Sequence, residues 1–134
     1  MTKIKLAKDL EVSRIIHGHW RLTDWHLSPQ ELLKLTEQSI NLGITTFDHA
    51  DIYGGYSCEK LFGDALNFKK DIRQNIQIIT KCGIKLLSPK FPSRQLKYYD
   101  YSFDYIVNSV ENSLKNFGTD YIDILLLHRP SPFF

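Results

Sequence analysis

The chain is short of cysteine, of methionine and of any excess charge: two cysteines, one methionine and a formal net charge of +2 in 134 residues. Two thiols, Cys58 and Cys82, do not make a disulfide framework, and neither has an activating neighbour in sequence, so both read as buried, non-catalytic thiols. The basic residues are dispersed. No basic stripe or polybasic patch exists, so no nucleic acid is expected as a partner. No apolar run approaches the ~20 residues that a membrane helix needs. The first residues, Met-Thr-Lys-Ile-Lys, lack an apolar signal core. No membrane association and a cytoplasmic location are the expectations. Low-complexity stretches, internal repeats and linkers are also missing, and the length suits one domain around one core.

What is present is an alternation of strand-like and helix-like segments. Residues 12–16 read as the first main strand, after a small hairpin over 4–10 that turns near Lys8-Asp9. Ser28-Pro29-Gln30-Glu31 is a capping box with proline at the first helical position. Leu32, Leu35, Ser39, Ile40 and Leu42 follow at roughly helical spacing, and Gly43 supplies the stop. Residues 45–47 form a second strand. A short helix over 57–66 should turn Leu61, Phe62 and Ala65 inward, with Glu59 as a structural cap near its start. Residues 76–80 form a third strand.

Residues 82–101 read as a long polar loop carrying Pro89, Pro92, Tyr98, Tyr99 and Tyr101, long enough to be functional or mobile. Ser102 can cap a further helix with Ile106, Val110, Leu114 and Phe117 on one stripe and Gly118 as the stop. Residues 121–127 form the fourth strand.

This order predicts an α/β protein with a parallel sheet and right-handed crossovers. Apolar strands suit a sheet covered on both faces. An open doubly wound sheet and a barrel both satisfy the pattern. The first strand-to-helix turn, His17-Gly18-His19-Trp20-Arg21, lacks the G-x-G-x-x-G of the usual dinucleotide-binding version.

Four polar residues sit at the ends of these strands. Asp48, Lys81 and His128 each close a strand, and Tyr53 follows Asp48 by five positions. In a (β/α) barrel the C-terminal strand ends form the reactive face. Taken singly, each has a plain explanation: Asp48 as a turn residue, Tyr53 as a loop aromatic, Lys81 as a solvated cation, His128 as a satisfied imidazole. Their joint order is the signal.

With Gly43-x3-Phe47-Asp48-x-Ala50-x2-Tyr53-Gly54, then Glu59-x3-Gly63, then Lys81 and His128, the chain resembles the N-terminal half of an aldo-keto reductase. Phe-Asp-His-Ala-Asp-Ile-Tyr-Gly-Gly, Lys-Cys-Gly and Leu-His-Arg-Pro look most like a bacterial subgroup of oxidoreductases within that family. The resemblance implies a fold of the TIM (β/α)8 barrel family, here a partial barrel of four strands forming one domain over residues 1–134.

It also implies NADPH-dependent reduction of a small-molecule aldehyde or ketone carbonyl to an alcohol, with no metal. Catalytic residues would be Tyr53, Lys81, Asp48 and His128, and cofactor contacts would come from Trp20 and Arg21. A free phenol ionises near pH 10 and is a reluctant donor; a cation within roughly 4–6 Å eases the transfer. Lys81 would be that cation, Asp48 would hold it, and His128 would bind the carbonyl oxygen. His49, where many relatives have threonine, would affect substrate choice if it faced the barrel mouth.

A whole barrel takes about 250 residues. The resemblance therefore predicts that most of the nucleotide site lies outside this chain, that the sequence is a fragment, and that open sheet edges at the first and fourth strands promote self-association. Pro130-Ser-Pro-Phe-Phe134 reads as a chain cut inside a fold. Two alternatives stand beside this. One is a metal-dependent hydrolase using His17 and His19, whose spacing puts both rings on one side of an extended chain, with Asp48 and His128. The other is a non-catalytic, reductase-like binding subunit.

Overall fold

The computed structural model describes residues 2–129. Strands β1 (Lys3–Ala7) and β2 (Leu10–Ser13) form the expected hairpin, antiparallel and turning at Lys8-Asp9. The expectation of one strand over 12–16 does not hold. β2 ends at Ser13, and β3 (Ile16–Gly18) starts after a bend. Ser13 makes that bend: its N–H donates to Thr46 Oγ1 at 2.9 Å, its hydroxyl accepts the N–H groups of Thr45 and Thr46 at 3.1 Å, and it donates to Ile15 O at 2.7 Å. A side chain bonded to nearby backbone competes with the extended ladder and turns the chain into the sheet.

Helix α1 (Pro29–Asn41) carries both bonds of the capping box, and Gly43, at φ 84°, ends it in the left-handed region. β4 (Thr46–Asp48) leads into a one-turn element, α2 (Tyr53–Tyr56), and then α3 (Cys58–Leu66). α3 buries Cys58, Glu59, Phe62, Ala65 and Leu66. Leu61, expected inside, is exposed, because the helical turn that buries Cys58 and Phe62 carries it outward.

β5 (Gln77–Cys82) follows. The region expected as loop holds a small antiparallel ribbon, β6 (Ile84–Lys85) with β7 (Tyr98–Tyr99). α4 (Phe103–Phe117) has Ser102 at its N-cap, but the hydroxyl donates to Asp100 Oδ1 at 2.7 Å instead of capping. Its most buried face is Ser109, Ser113 and Phe117, and the predicted stripe of Ile106, Val110 and Leu114 is half-buried beside it. Gly118, at φ 66°, is the stop.

β8 (Ile124–Leu127) begins later than expected. Residues 121–123 are instead drawn to Arg73, whose guanidinium donates to Tyr121 O at 2.9 Å and to Asp123 Oδ2 at 2.8 Å and stacks on the Tyr121 ring at 3.7 Å.

The main sheet has the order β3-β4-β5-β8, every pair parallel. Its register decides which side chains share a face. His17, Phe47 and Ile78 are aligned, as are Gly18, Asp48 and Ile79, and Lys81 aligns with Leu126. Because side chains alternate, Phe47, Ile78 and Thr80 face the helices while Asp48, Ile79 and Lys81 face the opposite side. The core lies on the helix side, where Phe47, Ile78, Leu32, Phe62, Ile76 and Phe117 pack together. The sheet is the curved inner wall of a partial (β/α)8 barrel.

Candidate active site

Asp48 closes β4 opposite Ile79, and Lys81 lies two residues further along β5, on the same inner face and one residue before the strand ends. The Lys81 ammonium donates to Asp48 Oδ1 at 2.7 Å and Oδ2 at 2.9 Å, to His49 O at 2.7 Å and to the Tyr53 hydroxyl oxygen at 3.1 Å. The pair is mostly buried, with side-chain exposures of 15% for Lys81 and 27% for Asp48. An ammonium only donates, so the Tyr53 oxygen is the acceptor here and its own proton is free for another partner.

Backbone bonds hold this arrangement in place. The N–H of His49 donates to Ile79 O at 2.8 Å, that of Asp51 to Lys81 O at 3.0 Å, and that of Tyr53 to Ala50 O at 3.2 Å. His128, just past β8, is fixed by its N–H to Cys82 O at 2.8 Å. Its ring stands edge-on to Tyr53, centroids 6.0 Å apart. Burial first, then the charges of Lys81 and Arg129, lower the His128 imidazole from its ordinary value, which favours the neutral ring. Its buried Nδ1 has no hydrogen-bond partner among the described residues. All four predicted tetrad residues therefore meet at the C-terminal ends of the strands.

Trp20 and Arg21 lie in the turn after β3, Trp20 strongly exposed and Arg21 stacked over its ring at 5.3 Å. They sit at the same end of the sheet as Asp48, whose carbonyl accepts the N–H of His19 at 2.9 Å, but they make no hydrogen bond to the tetrad.

The histidine pattern behaves differently from the metal alternative. His17 and His19 do lie on one side of the chain, 4.9 Å apart, but that side faces the helices. His17 pairs with the Ser39 hydroxyl at 3.1 Å, and His19 Nδ1 with His49 Nε2 at 2.8 Å, among Phe47 and Phe62. The alternation that puts Asp48 on the inner face puts these rings on the outer one. Among the described residues no group of three or more His, Cys, Asp or Glu is placed to hold a metal ion. His49 is fully buried in the same layer, so it does not line the barrel mouth. Cys58 and Cys82 are buried free thiols, and burial pushes the Cys82 thiol up to about 11, away from nucleophilic use.

Sequence reading missed three residues. Glu59, expected as a cap, is buried and accepts from Thr80 Oγ1 at 2.6 Å, Ser113 Oγ at 2.8 Å and Asn116 Nδ2 at 3.1 Å. It ties α3 and α4 to the back of the strand whose next residue is Lys81. The Gly63 four positions on was the available signal: a Cβ there would stand 2.1 Å from Asn116 O, so α3 and α4 touch backbone to backbone. Asp51 is half-buried, its buried Oδ1 without a partner among the described residues, and Tyr56 sits in the left-handed region; neither left a trace in hydrophobic patterning.

Comparison with known proteins agrees with this architecture. A family model described as the Aldo/keto reductase family matches residues 14–134. The chain is 58% identical over 132 residues to the oxidoreductase YcsN of Bacillus subtilis, covering 98% of this chain and 44% of that protein. It is 44% identical over 133 residues to a 6-dehydroglucose reductase of Agrobacterium fabrum, covering 98% of this chain and 45% of that one. Among solved structures it superposes on the aldo-keto reductase AKR11C1 from Bacillus halodurans with a TM-score of 0.78 at 30% identity, over 98% of this chain and 41% of that chain. The chain thus spans under half the length of these relatives, matching their N-terminal half. With the family model matching from residue 14, just past the hairpin, onward, this chain belongs to the aldo/keto reductase family.

Proposed function

We propose that this chain, as one domain over residues 1–134, supplies the proton-delivering half of an NADPH-dependent reductase that converts small aldehydes or ketones to alcohols in the cytoplasm. The observation that carries the reading is the bridging ammonium: Lys81 touches both Asp48 oxygens and the Tyr53 hydroxyl at once. The name 6-dehydroglucose reductase borne by one relative supports a sugar oxidised to an aldehyde at its primary alcohol as one such substrate.

NADPH, when bound, supplies hydride to the carbonyl carbon. This chain's residues manage the oxygen. Tyr53 donates its free proton to the carbonyl oxygen as negative charge builds there. Lys81, aimed by both Asp48 oxygens, stabilises the phenolate left behind. His128, its ring edge-on to Tyr53 and favoured in the neutral form, orients the carbonyl by hydrogen bonding. Trp20 and Arg21 fit the cofactor as the exposed ring and cation at the reactive end of β3, where a nicotinamide dinucleotide offers an aromatic face and phosphates.

A fluorescence titration with NADPH, reading Trp20 and Trp25, tests the proposal. Saturable quenching that Trp20→Phe reduces supports it. Folded protein that shows no binding contradicts a cofactor site in this chain.

A further inference from the structure

Tyr56 has φ 68°, a left-handed conformation that a bulky side chain rarely adopts. It follows two left-handed glycines, Gly54 at 59° and Gly55 at 61°. Three consecutive residues of this kind reverse the chain between Tyr53 and α3. Glycine enters that region at little cost and tyrosine does not, so the conformation persists only if its surroundings impose it.

The surroundings come from one segment, residues 84–94. The Tyr56 hydroxyl accepts the Leu86 N–H at 2.7 Å and an Arg94 guanidinium N–H at 2.7 Å, and donates to Ile84 O at 3.5 Å. Its carbonyl accepts the Lys90 ammonium at 2.7 Å. Its ring meets Phe91 edge-on, centroids 4.9 Å apart, with Arg94 over the Phe91 ring at 3.7 Å. On the other side the turn is tied to the site: Ser57 N–H donates to Tyr53 O at 3.1 Å and Tyr56 N–H to Ile52 O at 3.4 Å. Gly54 leaves no slack, since a Cβ there would meet Thr23 Cγ2 at 2.6 Å and Cys58 Sγ at 2.7 Å.

We propose that Tyr56 is a positioning residue: gripped by the 84–94 segment, it locks the left-handed turn that keeps the Tyr53 hydroxyl on Lys81. This rests on the reading of Tyr53 as proton donor. It also explains why this polar segment folds back onto the barrel end, for its contacts converge on one tyrosine three residues from the reacting group.

The test is Tyr56→Phe, which keeps the ring and deletes the hydroxyl. In selectively labelled protein, the nuclear Overhauser contact between the Tyr53 ring and the Lys81 side-chain methylenes should weaken or vanish. In an assay with NADPH and a small aldehyde, kcat should fall by up to about a hundredfold, the loss a misplaced reacting group can cause. KM for NADPH should hold, and the solvent deuterium isotope effect on kcat should rise. If Tyr56→Phe does not fold, Arg94→Ala, which removes one of the hydroxyl's bonds, should give the same changes in smaller measure. An unchanged Tyr53–Lys81 contact in whichever variant folds overturns the proposal. Tyr53→Phe is the control: if it retains carbonyl reduction, the donor reading itself falls, whereas its loss beside an unaltered Tyr56→Phe overturns only the positioning role.

Discussion

The ammonium of Lys81 is chelated by both carboxylate oxygens of Asp48 across adjacent parallel strands, at 2.7 and 2.9 Å, while its remaining contacts reach His49 O and the Tyr53 hydroxyl. The carboxylate fixes where the charge sits; the charge then acts on the phenol. Lys81→Met should lower carbonyl reduction by on the order of a hundredfold to ten-thousandfold, the range for losing acid–base assistance. Asp48→Asn keeps the shape but loosens the lysine and should fall less far. Steady-state rates of the two variants check the order, and an Asp48→Asn loss exceeding that of Lys81→Met would contradict it.

Buried histidines and a buried aspartate should pull stability in opposite directions with pH. Burial, then the neighbouring His17, holds His19 at about 3 against an ordinary 6.5, and burial places His49 well below 6.5. The unfolded chain takes up these protons as pH falls below 6.5 and the folded chain does not, so the stability from the neutral rings is present above 6.5 and lost toward pH 3. Asp51 runs the other way. Burial, then Glu59, pushes its carboxyl from 3.8 up to about 7, so its contribution is present below 3.8 and lost as pH rises to about 7. Asp51→Asn should therefore make unfolding free energy climb more steeply between about pH 4 and about pH 6.5, with its gain over the parent chain largest above about pH 7. Urea denaturation across that range is the measurement; parallel pH curves for the two proteins would refute the assignment.

Glu59 gathers Thr80, Ser113 and Asn116 around one buried carboxylate. Glu59→Ala strands three donors and should cost about 3 kcal/mol. Gly63→Ala forces a methyl against the Asn116 and Phe117 backbone and should cost about 1–3 kcal/mol. Both are read from denaturant midpoints.

These cases show where the sequence was legible. The capping box, the glycine stops and the order of tetrad residues follow local or strand-end rules, and each appears where such rules place it. The break after Ser13 was invisible because it depends on Thr45 and Thr46, more than thirty positions away. Glu59 was misread as a cap because nothing in its neighbours announces the serine face of α4. Leu61 was misassigned because α3 gives its inner positions to Glu59 and Cys58, which patterning counts as outer or neutral. His17-Gly-His19 was readable as a same-side pair, but which side required the register with β4.

The edges of the four-strand sheet lie at β3 and β8, where Ile15, Ile16, Leu125, Leu126 and Leu127 are exposed. Unpaired apolar edges favour association. The chain in solution should self-associate with rising concentration, and Leu126→Lys, placing a charge on β8, should reduce this in light scattering. A sharp dimer would favour two copies closing one barrel; a monomer at all concentrations would contradict edge-driven association.

The most direct test of the central claim is single-turnover reduction of a small aldehyde by NADPH, comparing the parent chain with Tyr53→Phe. The account predicts that Tyr53→Phe binds NADPH as the parent does and reduces the carbonyl at least about a hundredfold more slowly. Equal rates, with both proteins folded and cofactor-bound, would contradict it.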